Sequence, residues 1–78
     1  MRGFGGIKQR AKMTTQDLKN RLIFEQEIIT FTNEQDVFNF SFSHVRGKYR
    51  IMKNGVFTHL NTTLTSVKTC IKSNKLSE

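Results

Sequence analysis

The chain has 78 residues, of which 13 are lysine or arginine and six are aspartate or glutamate, giving a formal net charge of +7; it holds one cysteine and no proline or tryptophan. A chain this short makes one small domain with a modest core, and a lone Cys70 excludes both an intrachain disulfide and paired-cysteine zinc motifs. Its apolar runs fall far below the roughly 18 to 20 residues of a spanning helix, and no apolar signal segment opens it, so an intracellular, cytoplasmic protein is expected, in the host cytoplasm if viral.

The charge is unevenly spread. Residues 1–13 carry Arg2, Lys8, Arg10 and Lys12 with no acid, and residues 14–36 hold five of the six acids. Residues 37–77 carry Arg46, Lys48, Arg50, Lys53, Lys68, Lys72 and Lys75 and no acid at all. A one-signed stretch of that length is what a polyanion-binding surface requires.

Taken in chain order, residues 1–13 read as a disordered basic arm ahead of a single α+β domain over 14–76. The run Arg2-Gly3-Phe4-Gly5-Gly6 matches one unit of an RGG-type RNA-binding tail; an untemplated leader fits it as well, with Met13 as the start of the folded part. These glycines neither follow a strand nor open a helix, so they are not a phosphate-cradling loop. Thr14 and Asp17 have the spacing of a capping box, and with Leu18 and Leu22 they predict a short helix over about 15–25. Leu22-Ile23-Phe24 is a continuous apolar run that periodicity alone does not separate from a strand. The β-branched and aromatic residues from Ile28 to Thr32 predict a strand over 27–32, and Asn33-Glu34-Gln35-Asp36 suits either a turn or a short helical turn.

From Val37 to Leu60 three alternating runs are broken by Arg46-Gly47 and Asn54-Gly55. Asn-Gly fits a type I′ turn, whose two central residues both need positive φ. It pairs Lys53 with Val56, Met52 with Phe57, Ile51 with Thr58, Arg50 with His59 and Tyr49 with Leu60. Arg46-Gly47 as a second two-residue turn pairs Val45 with Lys48, His44 with Tyr49, Ser43 with Arg50 and Phe42 with Ile51. Both registers gather Phe38, Phe40, Phe42, His44, Tyr49, Ile51, Val56 and Leu60 on a core face. They leave Asn39, Ser41, Ser43, Val45, Lys48, Arg50, Met52, Phe57 and His59 on a wet one.

Asn61-Thr62-Thr63 offers three candidate N-caps for a helix over about 62–74. Its Leu64, Val67, Cys70 and Ile71 have the period to lie across the aromatic face, and Lys68, Lys72 and Lys75 form a row on another side. The expected architecture is α+β: an antiparallel three- to four-stranded meander packed on a C-terminal helix, with a short N-terminal helix. The expected core is Leu22, Phe31, Phe38, Phe40, Phe42, Tyr49, Ile51, Val56, Leu60, Leu64, Val67 and Ile71.

In outline, a helix, strands and a C-terminal helix across a meander resemble the double-stranded-RNA-binding domain, and the hairpins plus helix resemble the sheet-reading DNA modules of some integrases. Asn61-Thr62-Thr63-Leu64 stands where that RNA-binding family opens its second helix with a lysine cluster, so no site residue is carried over from either.

No nucleophile, base and orienting carboxylate fall together, so no catalytic residue and no cofactor are expected. His44, His59 and Cys70 fall on the core rim, the outer face and the core stripe, so no metal site is expected either. The remaining constellation is the outer sheet face. There Lys48, Arg50 and Lys53 would hold phosphates, Met52 and Phe57 would give apolar contact, and His59 would reach a phosphate or a partner. Arg46 and the row Lys68, Lys72 and Lys75 would extend the basic surface. The structural alternative is that Met52 and Phe57 are a cross-strand pair, or that the first helix covers them.

The expectation is therefore a small DNA- or RNA-binding protein without catalysis. The alternative is a protein-interaction module, a regulator or inhibitor that binds an acidic surface of a larger partner. A composition rich in Asn, Lys, Ile, Phe and Thr and nearly free of Ala suggests an A/T-rich coding sequence and a phage or bacterial setting. No membrane partner is expected, and an unpaired edge strand leaves a homodimer open.

Overall fold

The computed structural model describes residues 13–78; apart from Met13, the arm expected over 1–13 lies outside the described residues. Thr14 opens the first helix with the capping box its spacing calls for. Its Oγ1 accepts from the Asp17 backbone N–H at 3.1 Å, and the Asp17 carboxylate accepts from the Thr14 N–H at 3.4 Å. Helix α1 (Thr15–Lys19) widens into a π-helical turn (Asn20–Phe24), closed by the Glu25 N–H donating to the Asn20 carbonyl at 2.9 Å. Leu18 and Leu22 are buried, while Phe24 is left in solvent. Gln26, with φ at 56°, turns the chain toward the sheet in the left-handed conformation.

The sheet is a four-stranded antiparallel meander in sequential order: β1 (Ile29–Thr32), β2 (Val37–Ser43), β3 (Lys48–Lys53) and β4 (Val56–Thr62). The first connection is an Asx-type turn, in which the Asn33 side-chain oxygen accepts from the N–H groups of Gln35 at 2.8 Å and Asp36 at 2.7 Å. At the β3–β4 turn Asn54 and Gly55 have φ of 52° and 85°, as a type I′ turn requires. Asn54 also reaches across the sheet, its Oδ1 accepting from the Val37 N–H at 2.9 Å and its own N–H donating to the Val37 carbonyl at 2.7 Å.

Two registers differ from the sequence expectation. The β2–β3 connection is a four-residue loop, His44 to Gly47, rather than a two-residue turn. It pairs Ser43 with Lys48, Phe42 with Tyr49, Ser41 with Arg50 and Phe40 with Ile51. Gly47, at φ 66°, closes it by donating to the Ser43 carbonyl at 2.7 Å, and Ser43 Oγ accepts from the Arg46 N–H at 3.3 Å, which buries Ser43 within the loop. The slip is two residues, so each strand keeps its inward and outward sets. His44 leaves the core face for the loop, where its ring meets Phe42 edge-on at 5.0 Å, and Val45 is 97% exposed rather than on the sheet.

The β3–β4 pair starts as expected, Lys53 with Val56 and Met52 with Phe57, and then shifts twice: Ile51 faces His59 and Tyr49 faces Thr62. Each shift adds a residue to β4, the signature of a bulge. Thr58 takes up the first, its Oγ1 donating to the Ile51 carbonyl at 3.2 Å. Leu60, expected in the core, is therefore 50% exposed, and Thr62 takes the buried place opposite Tyr49; Val56, also expected in the core and paired with Lys53 as expected but at the end of the sheet, is 65% exposed. Helix α2 (Leu64–Ser73) packs over β3, so β4 overhangs the covered part of the sheet.

Both helices lie on one face. Leu18, Leu22, Val67 and Leu76 join Ile29, Phe31, Phe38, Phe40, Tyr49 and Ile51 in a single buried cluster, with Met13, Ile23, Phe42, Leu64, Cys70 and Ile71 packed around it. Phe40, 0% exposed, meets Phe31 edge-on at 5.5 Å and stacks on Phe38 at 6.4 Å. A side chain buried to that degree contributes about 1.5 to 3 kcal/mol. Thr63 caps α2 through its Oγ1, which accepts from the Ser66 N–H at 3.3 Å. The helix ends in a Schellman motif, with the Leu76 N–H on the Ile71 carbonyl at 2.9 Å and the Lys75 N–H on the Lys72 carbonyl at 3.2 Å. That turn drives Leu76 into the core, and Ser77 then bridges Thr32 on the outer edge of β1.

A guanidinium holds the helical entrance to the end of the chain. Arg21 donates to Glu27 at 2.8 Å and 3.0 Å and to Glu78 at 2.9 Å. These bonds raise the Arg21 pKa and, together with a bond from Glu25, hold the Glu27 carboxyl below the ordinary glutamate range. A depressed folded-state pKa stabilises the fold above the unfolded value and ceases to do so as pH falls through the folded one. The Glu27 side-chain carbon should thus titrate by NMR below free glutamate, and Arg21→Met should move it upward; an unchanged titration would show that the pairing is not populated in solution. Separately, Gln26→Gly relieves a left-handed non-glycine residue and should raise stability by about 0.5 to 1 kcal/mol, or about 2 to 8 °C in Tm by differential scanning calorimetry.

Candidate nucleic-acid interface

Strand alternation sets the face opposite the helices. Thr30 of β1, Asn39 and Ser41 of β2, Lys48, Arg50 and Met52 of β3 and Phe57 of β4 share it through the pairs Thr30–Asn39, Asn39–Met52, Ser41–Arg50 and Met52–Phe57. No helix among the described residues lies on this face, because α1, the π turn and α2 all contribute their apolar residues to the cluster on the other side. Met52 and Phe57 are the cross-strand pair the sequence suggests, and the pair is open: Phe57 is 47% exposed.

The face has two ends. Toward the four-residue loop stand the cations Lys48 and Arg50, with Arg46 in the loop itself; toward the Asn54-Gly55 turn stand Met52, Phe57 and Val37. Short polar side chains lie beside them on β1 and β2, where the Asn39 amide donates to the Thr30 hydroxyl at 2.9 Å. No outward strand position carries an acid.

Arg50 is the distinctive group. It lies half-buried along the sheet, and its Nε is the one buried side-chain polar atom without a hydrogen-bond partner among the described residues. A buried donor left unbonded costs about 1 to 3 kcal/mol, and a guanidinium fork matches a phosphate or carboxylate in two-point geometry.

Other expected site residues fall elsewhere. Lys53 points to the helix-covered side at the sheet's end, 4.0 Å from the Asp36 carboxylate and 5.9 Å from the centroid of the Phe38 ring, so it does not join Lys48 and Arg50. His59 faces Ile51 rather than Arg50 because of the bulge, and its Nδ1 lies 3.1 Å from the Thr58 hydroxyl. Lys68, Lys72 and Lys75 open onto a groove between the two helices, on the opposite side of the sheet from Arg50, and so do not extend the outer face. Asp17, Glu25 and Glu78 line the same groove, and Lys68 Nζ donates to the Thr15 hydroxyl at 2.7 Å. The lysine row thus shares its groove with acids, whereas the outward strand positions that carry Lys48 and Arg50 include none.

Thr30 is the contributor to the face that reading the meander alone misses; the alternation of β1, with Ile29 and Phe31 buried on either side of it, is the signal that finds it. Burial pushes the Cys70 thiol up, in keeping with a packing role on α2. Among the described residues no three His, Cys, Asp or Glu side chains come together, and no helix is long and apolar enough to cross a membrane. Compared with models of known protein families, with curated proteins and with solved structures, the chain shows no match.

Arg50→Met keeps the side-chain stem and removes the unbonded donor. It should leave the far-ultraviolet circular dichroism unchanged and hold or raise the urea midpoint, by up to about 1 kcal/mol of stability. A loss of more than that would mean the guanidinium supports the fold.

Proposed function

We propose that the chain is a small nucleic-acid-binding protein without catalytic activity, and that the outer face of its sheet is the binding surface. The observation that carries this reading is Arg50: an ion-unpaired guanidinium with an unbonded Nε, on a face without acids and not overlain by a described helix. Lifting that side chain onto a phosphate oxygen satisfies the stranded donor and forms a charge-assisted bond. Lys48 and Arg46 flank it as further phosphate contacts, and Met52 and Phe57 supply apolar contact. Lys68, Lys72 and Lys75 contribute general positive potential from the far side, where neighbouring acids reduce it.

A second reading, a protein-interaction module, draws on the apolar residues that β4 leaves in solvent, Val56, Phe57 and Leu60. The two readings part on salt. Phosphate contacts release counterions, so log affinity falls with log salt by about 0.7 to 0.9 per phosphate neutralised. In fluorescence anisotropy at low salt, Lys48→Gln with Arg50→Gln should reduce that slope by about 1.5. The triple replacement of Lys68, Lys72 and Lys75 by glutamine should reduce it by less. Absence of any DNA or RNA binding at low salt sinks the nucleic-acid reading and leaves the β4 patch as the surface to pursue; a larger effect of the helix triple relocates the site to the groove.

A further inference from the structure

We infer that the outer face takes unpaired, single-stranded nucleic acid, with phosphates at its basic end and a base stacked on Phe57; this inference rests on the nucleic-acid reading above. The width of the sheet keeps it out of a duplex groove. The face is carried by a sheet of four strands, which at about 4.8 Å between neighbours span about 14 Å before side chains are added. The major groove of B-form DNA is about 12 Å wide and admits a helix or a two-stranded ribbon. Here β1 and β4 flank the two central strands in the plane of the sheet, so the face does not descend into that groove and would touch a duplex only along its phosphates.

The relief and chemistry of the face suit an unpaired base. The β1–β2 half of the face is paved with Thr30, Asn39 and Ser41, short side chains that leave a low shelf alongside the Lys48, Arg50 and Met52 row of β3. An exposed aromatic ring on such a face offers a stacking partner to any base that is not already stacked in a duplex. Of the aromatic residues on the strands, Phe31, Phe38, Phe40, Phe42 and Tyr49 are turned to the core side, and Phe57 is the ring presented outward.

The spacing along β3 suits a short extended strand. Lys48, Arg50 and Met52 are alternate residues of β3 and therefore stand about 6.7 Å apart along the strand, which sets Phe57, opposite Met52, about 13 Å from Lys48. An extended single strand of a few nucleotides running along β3 can place its backbone against the two cations and a base against Phe57 at once. A duplex, whose bases are stacked and paired inside, reaches the cations alone.

The experiment compares a short oligothymidine with the same oligonucleotide annealed to its complement, both titrated with the full chain at low salt by fluorescence anisotropy. Single-strand binding should be at least about tenfold tighter, and Phe57→Ala should weaken it about 5- to 150-fold while leaving duplex binding within about twofold. Phe57→Leu, which keeps the packing on Met52 but removes the aromatic face, should reproduce most of that loss and guards against an unfolded alanine variant. Arg50→Gln should weaken both forms. Equal or tighter duplex binding overturns the inference, as does a Phe57 effect common to both forms, while the parent reading stands if Arg50 still matters. Binding to neither form overturns both.

Discussion

Phe40 and Ile51 face each other on the two central strands and are both closed to solvent, and this pairing organises what lies on either side. Helical apolar residues from both ends of the chain, Leu18 and Leu22 before the sheet and Val67 and Leu76 after it, converge on the same side of these two residues. Among the described residues, both helices are spent on this one face. The opposite face must therefore be built from side chains that tolerate water, and it is there that a polar and cationic set is displayed on a rigid surface. The core does not merely support the candidate site; by using both helices it determines which face can be one.

Charge follows a different logic from burial. Along the sequence, acids cluster before residue 37 and cations after it, which reads as one large basic surface. Folding divides that surface. α1 and the π turn bring Asp17 and Glu25 beside the lysine row of α2, Asp36 is carried to Lys53 by the β1–β2 turn, and Glu78 returns to Arg21. Lys48 and Arg50 are left without such a counterpart because alternation turns them away from every element that carries an acid. Segregation in sequence thus overstates the basic area and understates how sharply the remainder is localised.

The α+β architecture, the antiparallel meander, the capping box and the type I′ turn are legible in residue patterns, since each is dictated locally by spacing or by φ, whereas the pattern leaves three or four strands open. The outward identity of Lys48, Arg50, Met52 and Phe57 was legible too, and it survived a wrong loop length at residues 44–47 because the error was an even number of residues. Other features were not. The register shifts in β4 have no local signature in the residue pattern, so Leu60 reads as core and emerges exposed, while Val56 keeps its expected partner and is exposed at the end of the sheet. Leu76 lies beyond the helix, and its burial follows from a Schellman turn at Lys75, a residue whose chemistry gives no hint of a left-handed conformation. The unbonded Nε of Arg50 is a tertiary fact altogether.

The two edges of the sheet bear on which surface remains for a partner. β1 is short, and its outer side is partly occupied by the Ser77 bridge to Thr32. β4 is longer and carries exposed apolar residues, but its two shifts in register interrupt the row of backbone donors and acceptors that a docking strand would need. Strand addition at the β1 edge would displace the C-terminal bridge, and at the β4 edge it would meet an interrupted row of backbone groups. Binding on the outer face requires no such loss: its strands are already paired, its short polar side chains lie flat, and the one group that must move, Arg50, starts from an unsatisfied position. The asymmetry between edges that are occupied or interrupted and a face whose strands are already paired is the physical reason for preferring the face as the candidate surface.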